Sequence, residues 1–176
     1  RQHMCTSNLE KIDVKSVTGN SNVNDSFLGD ILLAAKYEAE NIKKLYVENN
    51  DRKDLNDEND KATVCRAMKY SFADIGDIIR GRDIWDREPG MKHAKKHLKD
   101  VFDNIRKSLN AKGISKYDKD SPDYIKLRED WWEANRHQVW RAMKCATKDI
   151  NNNKCNGIPI EDYIPQRLRW MTEWAE

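Results

Sequence analysis

Asp74 and Asp77 lie three residues apart in the stretch KATVCRAMKYSFADIGDIIRGRD, with Arg80 and Arg82 just after them. On a helix, that spacing places two carboxylates near one face, where one can act as acid and the other as base. The same spacing suits ion pairing with nearby arginines at the edge of a core, and this is the reading adopted. Gly76 and Gly81 do not form a phosphate loop, because the Gly-Lys-Ser/Thr triplet and a preceding strand are both missing. His93 and His97 are four apart and would face one metal ion from a helix. The surrounding KHAKKHLKD is rich in cations, which repel a metal ion. His3 and His137 stand alone, and nothing near the four cysteines marks a thiol as activated.

Two further groups are candidates for binding. Lys92, Lys95, Lys96 and Lys99 recur at three and four residues, so they line one helical face. Such a stripe attracts a sulfated sugar or an acidic protein surface; equally, it is the solvated side of a helix whose other side carries Ala94, Leu98 and Val101. The segment WWEANRHQVWRAM holds three tryptophans. Trp131 and Trp132 are adjacent and cannot share a face, so at least one belongs to the core. The other either packs on a second helix or lies exposed as a contact.

Composition limits the function classes. The chain has 176 residues, enough for one domain or a large part of one. Net charge is only +2, unlike the strongly basic balance of a dedicated nucleic-acid binder. At 38% hydrophobic the chain is polar, but six Trp, six Tyr and three Phe supply core mass. No stretch approaches 18 uncharged apolar residues, so no insertion of this chain into a membrane is expected. The start at RQHMC and the end within RWMTEWAE suggest a piece of something longer. Cys5, Cys65, Cys145 and Cys155 contain no C-x-x-C pair, which disfavours a zinc ribbon. On numbers alone they fit free thiols or an oxidising setting equally.

The elements that must position these groups are helical. Residues 1–26 are polar and expected to be mostly irregular; Asn24 heads an Asn-Asp-Ser glycosylation pattern. From Phe27, with Ser26 as its cap, Phe27, Leu28, Ile31, Leu32, Ala35, Ala39, Ile42 and Tyr46 mark one helical face. A second helix is predicted over about 60 to 80, capped by Asp60, with Val64, Ala67, Met68, Phe72, Ile75 and Ile79 inward. A third covers about 90 to 110, and a fourth runs from Ser121-Pro122 to about 149 with Tyr124, Leu127, Trp131, Ala134, Val139, Ala142, Met143 and Ala146 inside. A fifth opens near Pro165, with Leu168, Trp170, Met171 and Trp174 as its apolar residues. No useful alternating strand pattern or repeat appears. The architecture read from these patterns is an all-α bundle with long loops.

Three long stretches, YSFADIGDIIRGRDIW, WWEANRHQVWRAM and IPQRLRWMTEWAE, occur in this order. Together they resemble the Duffy-binding-like adhesion domain of malaria parasites, and most resemble the domains of erythrocyte membrane protein 1, the variant surface antigen of Plasmodium falciparum. RQHMCTSNLE is similar to the Arg-Arg-x-x-x-Cys stretch of the same domain. The resemblance covers nearly the whole chain.

The resemblance implies an all-α, disulfide-stabilised, non-enzymatic module without a cofactor. Residues 1–26 would end the family's first subdomain, 27–176 would form its helical second subdomain, and the third would be absent. It implies adhesion of infected erythrocytes to a host receptor protein or sulfated glycosaminoglycan, displayed on the extracellular face of the infected cell, beside neighbouring domains of one ectodomain. Within it, the Lys92, Lys95, Lys96 and Lys99 stripe is the candidate glycan contact. The resemblance also implies a Cys65–Cys155 disulfide. Cys5 then matches a cysteine whose family partner lies upstream. Cys145 is left for Cys5, for a free thiol, or for the alternative pairing with Cys155. YSFADIGDIIRGRD reads as scaffold, with Gly76 allowing close approach of another helix and Asp74, Asp77 and Arg80 in ion pairs. A packing element touching no receptor is the competing function, and a metal enzyme using His93 and His97 is a third.

Overall fold

The computed structural model describes residues 23–52, 54–84, 89–148, 150 and 155–175. Five α-helices carry the described chain: α1 Val23–Asn49, α2 Glu58–Arg80, α3 Pro89–Ala111, α4 Ile125–Ala146 and α5 Gln166–Ala175. Short 3-10 turns at Asp118–Asp120 and Glu161–Tyr163 precede α4 and α5. No strand occurs among the described residues.

The helix starts differ from those expected. α1 begins at Val23, so Ser26 lies inside its first turns rather than capping it. The Trp131 indole N–H donates to Asn24 Oδ1 at 2.7 Å and pins that extra turn. The glycosylation pattern at Asn24 therefore sits on a helix with its amide oxygen engaged. The rest of the segment expected to be irregular, together with Cys5 and His3, lies outside the described residues. α2 is capped by Asp57, which accepts the amide N–H of Asn59 at 2.7 Å and of Asp60 at 3.4 Å. Asp60 instead accepts the Tyr46 hydroxyl at 2.8 Å. α4 starts at Ile125, where Asp120 accepts the N–H groups of Lys126 (3.1 Å) and Leu127 (2.8 Å).

The chain divides into two compact units, and the divisions fall within α1, α2 and α4. One unit comprises Leu32–Ile75 and His137–Glu176. Its interior holds Val64, Met68, Phe72, Val139, Trp140 and Met143, all buried. The Phe72 and Trp140 rings meet edge to face at 5.6 Å, an arrangement aromatic quadrupoles favour. Ser71 donates its hydroxyl to buried Glu38, so this polar pair is satisfied inside the core. Cys65 and Cys155 are joined by a disulfide, with Cα atoms 5.7 Å apart and 90 residues between them in sequence. Because Cys155 is taken, Cys145 does not pair with it; Cys145 is an exposed free thiol.

The other unit comprises Gly76–Arg136 and the start of α1 up to Ile31. Phe27, Phe102 and Trp131 form an aromatic cluster, with centroid separations of 5.5 Å, 4.8 Å and 6.1 Å. Trp132, on a neighbouring face of the same helix, is fully buried against the backbone of Gly76. Both adjacent tryptophans are therefore core, each with its own partners. Ala134, expected inside, is exposed.

Candidate functional site

α2 is buried along its whole last stretch, from Ser71 to Arg80, acids included. A continuous buried run of this kind needs every charge matched. Asp77 Oδ1 accepts from Arg80 Nη2 at 3.1 Å, and Arg80 Nη1 lies 3.7 Å from Glu129 of α4. Arg80 also donates Nε–H to the Gly76 carbonyl at 3.1 Å and stands over the Trp132 ring. Asp74 is paired across the sequence. Its partner is Arg169 of α5, with Gln166 and Trp170 donating to the same oxygen at 3.4 Å and 3.3 Å. These carboxylates are consumed by structural ion pairs, which leaves no free acid–base couple in the motif.

The C-terminal end of α2 is closed by Arg128. Its Nε and Nη2 donate to the carbonyls of Ile79 and Ile78 at the helix end, and the Ile78 carbonyl also accepts the Gly81 N–H at 3.1 Å. Burial holds the guanidinium pKa down at about 10. Gly81, at φ +74°, makes room for it: a Cβ there would sit 2.8 Å from Arg128 Nη1.

The lysine stripe lies on α3 with Ala94, Leu98, Val101 and Phe102 buried on the opposite side. Its four cations are not equivalent. Lys95 donates to the Asp83 carbonyl at 3.1 Å and pairs with the Asp83 carboxylate at 3.5 Å. Lys99 pairs with Asp123, and that contact pulls the Asp123 carboxyl below its ordinary range. Lys92 and Lys96 are exposed. The His93 and His97 rings lie with centroids 4.6 Å apart, tilted by 57° to one another. Among the described residues, no group of three His, Cys, Asp or Glu side chains is arranged to hold a metal ion.

A surface that sequence reasoning missed lies at the other end of the chain. On α5, Gln166 and Arg169 are buried, and Trp170 and Glu173 are half-buried. Leu168, Met171 and Trp174 are 54%, 63% and 89% exposed. The helix therefore turns Gln166 and Arg169 inward and Leu168, Met171 and Trp174 outward, with Arg167 and Thr172 exposed beside them. Asp74 draws Arg169 and Gln166 to the inner side, which leaves the three apolar side chains outward. Ile158, Ile160, Tyr163 and Ile164, in the segment just before α5, are also exposed.

The chain belongs to the Duffy binding domain family, whose model matches residues 1–169. In solved structures it is similar to the PfEMP1 IT4var13 DBLβ domain bound to ICAM-1, at 50% identity and TM-score 0.91, covering 100% of this chain and 43% of that one. It is also similar to a second PfEMP1 DBLβ domain, bound to human ICAM-1, at 47% identity and TM-score 0.82, covering 99% and 38%. Among curated proteins it matches the Duffy receptor of Plasmodium vivax (strain Salvador I), 28% identical over 121 residues. That match covers 63% of this chain and 9% of the receptor, so the chain spans under a tenth of that relative's length. No helix among the described residues is long and apolar enough to cross a membrane.

Proposed function

We propose that this chain is part of a host-receptor-binding adhesion module of a malaria variant surface antigen, displayed on the extracellular face of the infected erythrocyte. It works without enzymatic chemistry or a cofactor. The carrying observation is 50% identity over the whole chain to a DBLβ domain bound to ICAM-1. We take residues 1–26 as the end of a first subdomain and 27–176 as the helical second, with a third supplied by further chain of the same domain.

A protein receptor is favoured over a glycan. Ion pairs with Asp83 and Asp123 engage two of the four stripe lysines, so the stripe presents less positive charge than its sequence suggests. Protein contacts depend chiefly on a few buried apolar or aromatic anchors. The test is surface plasmon resonance of the complete domain over immobilised human ICAM-1. Saturable binding supports the proposal; no binding at micromolar domain concentration removes ICAM-1 as the receptor.

The glycan reading keeps one specific support, the exposure of Lys92 and Lys96. Lys92→Glu with Lys96→Glu should then weaken retention on heparin, with a steep dependence on salt. Unchanged retention eliminates the stripe as a glycan contact.

A further inference from the structure

We propose that the second half of α4 is a binding site for a linear sulfated polysaccharide, formed by His137, Arg141 and Lys144 on the helix and Lys148 in the turn that follows it. The site is separate from any contact with a protein receptor and does not rest on that reading.

Unrelieved positive charge carries the argument. Across the whole chain 32 Lys and Arg are nearly balanced by 30 Asp and Glu, yet no acid lies between Glu133 and Asp149, where Arg136, Arg141, Lys144 and Lys148 all fall. His137, Arg141 and Lys144 are spaced by four and three residues, so they share one helical face. Val139, Trp140 and Met143 are buried, while His137, Arg141 and Lys148 are exposed and Lys144 is half-buried. Elsewhere the surface cations of the helices are neutralised: Lys36 by Glu40, Lys44 by Glu48, Lys99 by Asp123 and Lys107 by Asp103. Arg141, Lys144 and Lys148 make no ion pair among the described residues. Like charges at helical spacing repel one another. The helix C-terminus offsets this for Lys144, which lies in the last turn, but its field fades before Arg141.

The ligand class follows from the side chains present and from those missing. No large apolar side chain of this half of α4 is exposed, so the face offers none of the anchors on which protein contacts depend. A row of cations with nothing between them instead attracts a polymer that carries fixed anions at intervals. The forked donors of Arg141 match a tetrahedral oxyanion such as sulfate as they match phosphate. Cys145, an exposed free thiol next to Lys144, reports whether the face is covered.

The experiment uses the complete domain and heparin as the probe. Arg141→Gln with Lys144→Gln is expected to weaken heparin affinity on the order of tenfold, with the slope of log affinity against log salt falling by roughly one to two as fewer counterions are released. Lys92→Gln with Lys96→Gln should have the smaller effect. In the unaltered domain, heparin should slow maleimide alkylation of Cys145, followed by peptide mass spectrometry, at low salt and not at high salt, and uncharged dextran should leave the rate unchanged. An unchanged affinity in the α4 variant overturns the proposal, as does an alkylation rate indifferent to heparin. Loss of ICAM-1 binding in that variant with heparin affinity retained assigns the face to a protein receptor and also overturns it. Heparin binding is read without ICAM-1, so its failure and the failure of the receptor reading are told apart.

Discussion

Asp74 of α2 and Arg169 of α5 meet at 2.6 Å across 95 residues of sequence, with side chains only 5% and 1% exposed. A buried pair of this kind adds little net stability over an apolar pair, but losing one partner strands the other charge. It therefore fixes which side of α5 faces inward. Arg169→Met is expected to destabilise the complete domain by about 3–5 kcal/mol. Asp74→Leu combined with Arg169→Met should recover much of that loss. Urea unfolding of Asp74→Leu, Arg169→Met and the double variant checks this; additive losses would mean that the pair is not coupled.

Gly76 is required by its neighbour. A Cβ at this position would lie 2.8 Å from two ring carbons of Trp132, which is itself fully buried and has nowhere to move. Gly76→Ala should cost about 1–3 kcal/mol as overpacking, despite the higher helix propensity of alanine. Adding Trp132→Phe should relieve part of that cost, and thermal melts of the single and double variants measure it.

Asp103 sits in a cluster of donors. Lys107 contributes most, with Tyr124 (2.7 Å) and Arg106 (3.0 Å) also donating, and together they lower its carboxyl pKa to about 2. An unfolded aspartate titrates near 3.9, so the unfolded chain takes up its proton first as pH falls. The contribution of Asp103 is thus fully present above about pH 5 and lost as pH drops toward 2. The site is partly solvated, so about 1 kcal/mol is expected. Asp103→Asn should lower stability at pH 7 and flatten its decline between pH 5 and 2, as measured by denaturant titration at each pH.

The Cys65–Cys155 bond closes a 90-residue separation. In the chain-entropy model, a loop of that length corresponds to about 4–5 kcal/mol. Cys65→Ser with Cys155→Ser should lower the unfolding midpoint accordingly, whereas Cys145→Ser should leave it within about 0.5 kcal/mol, as for an exposed position away from special contacts. A larger effect of Cys145→Ser would show that its exposed thiol carries structure.

Much of this protein was legible in its residue pattern. Five helices, their order and the inward placement of Phe72, Ile75 and Ile79 follow from apolar spacing alone, because a 3.6-residue period is a local property. Family resemblance, not spacing, singled out the pairing of Cys65 with Cys155. Periodicity could not choose partners. Two adjacent tryptophans stand about 100° apart on a helix, so sequence placed at least one inside. Only packing put Trp131 against Phe27 and Trp132 against Gly76. Likewise, four lysines on one face read as a stripe until Asp83 and Asp123 engaged two of them. For α5 the apolar side was clear in the sequence and its direction was not. A local pattern marks which face of a helix is greasy, but a distant buried carboxylate, Asp74, decided which face turned inward.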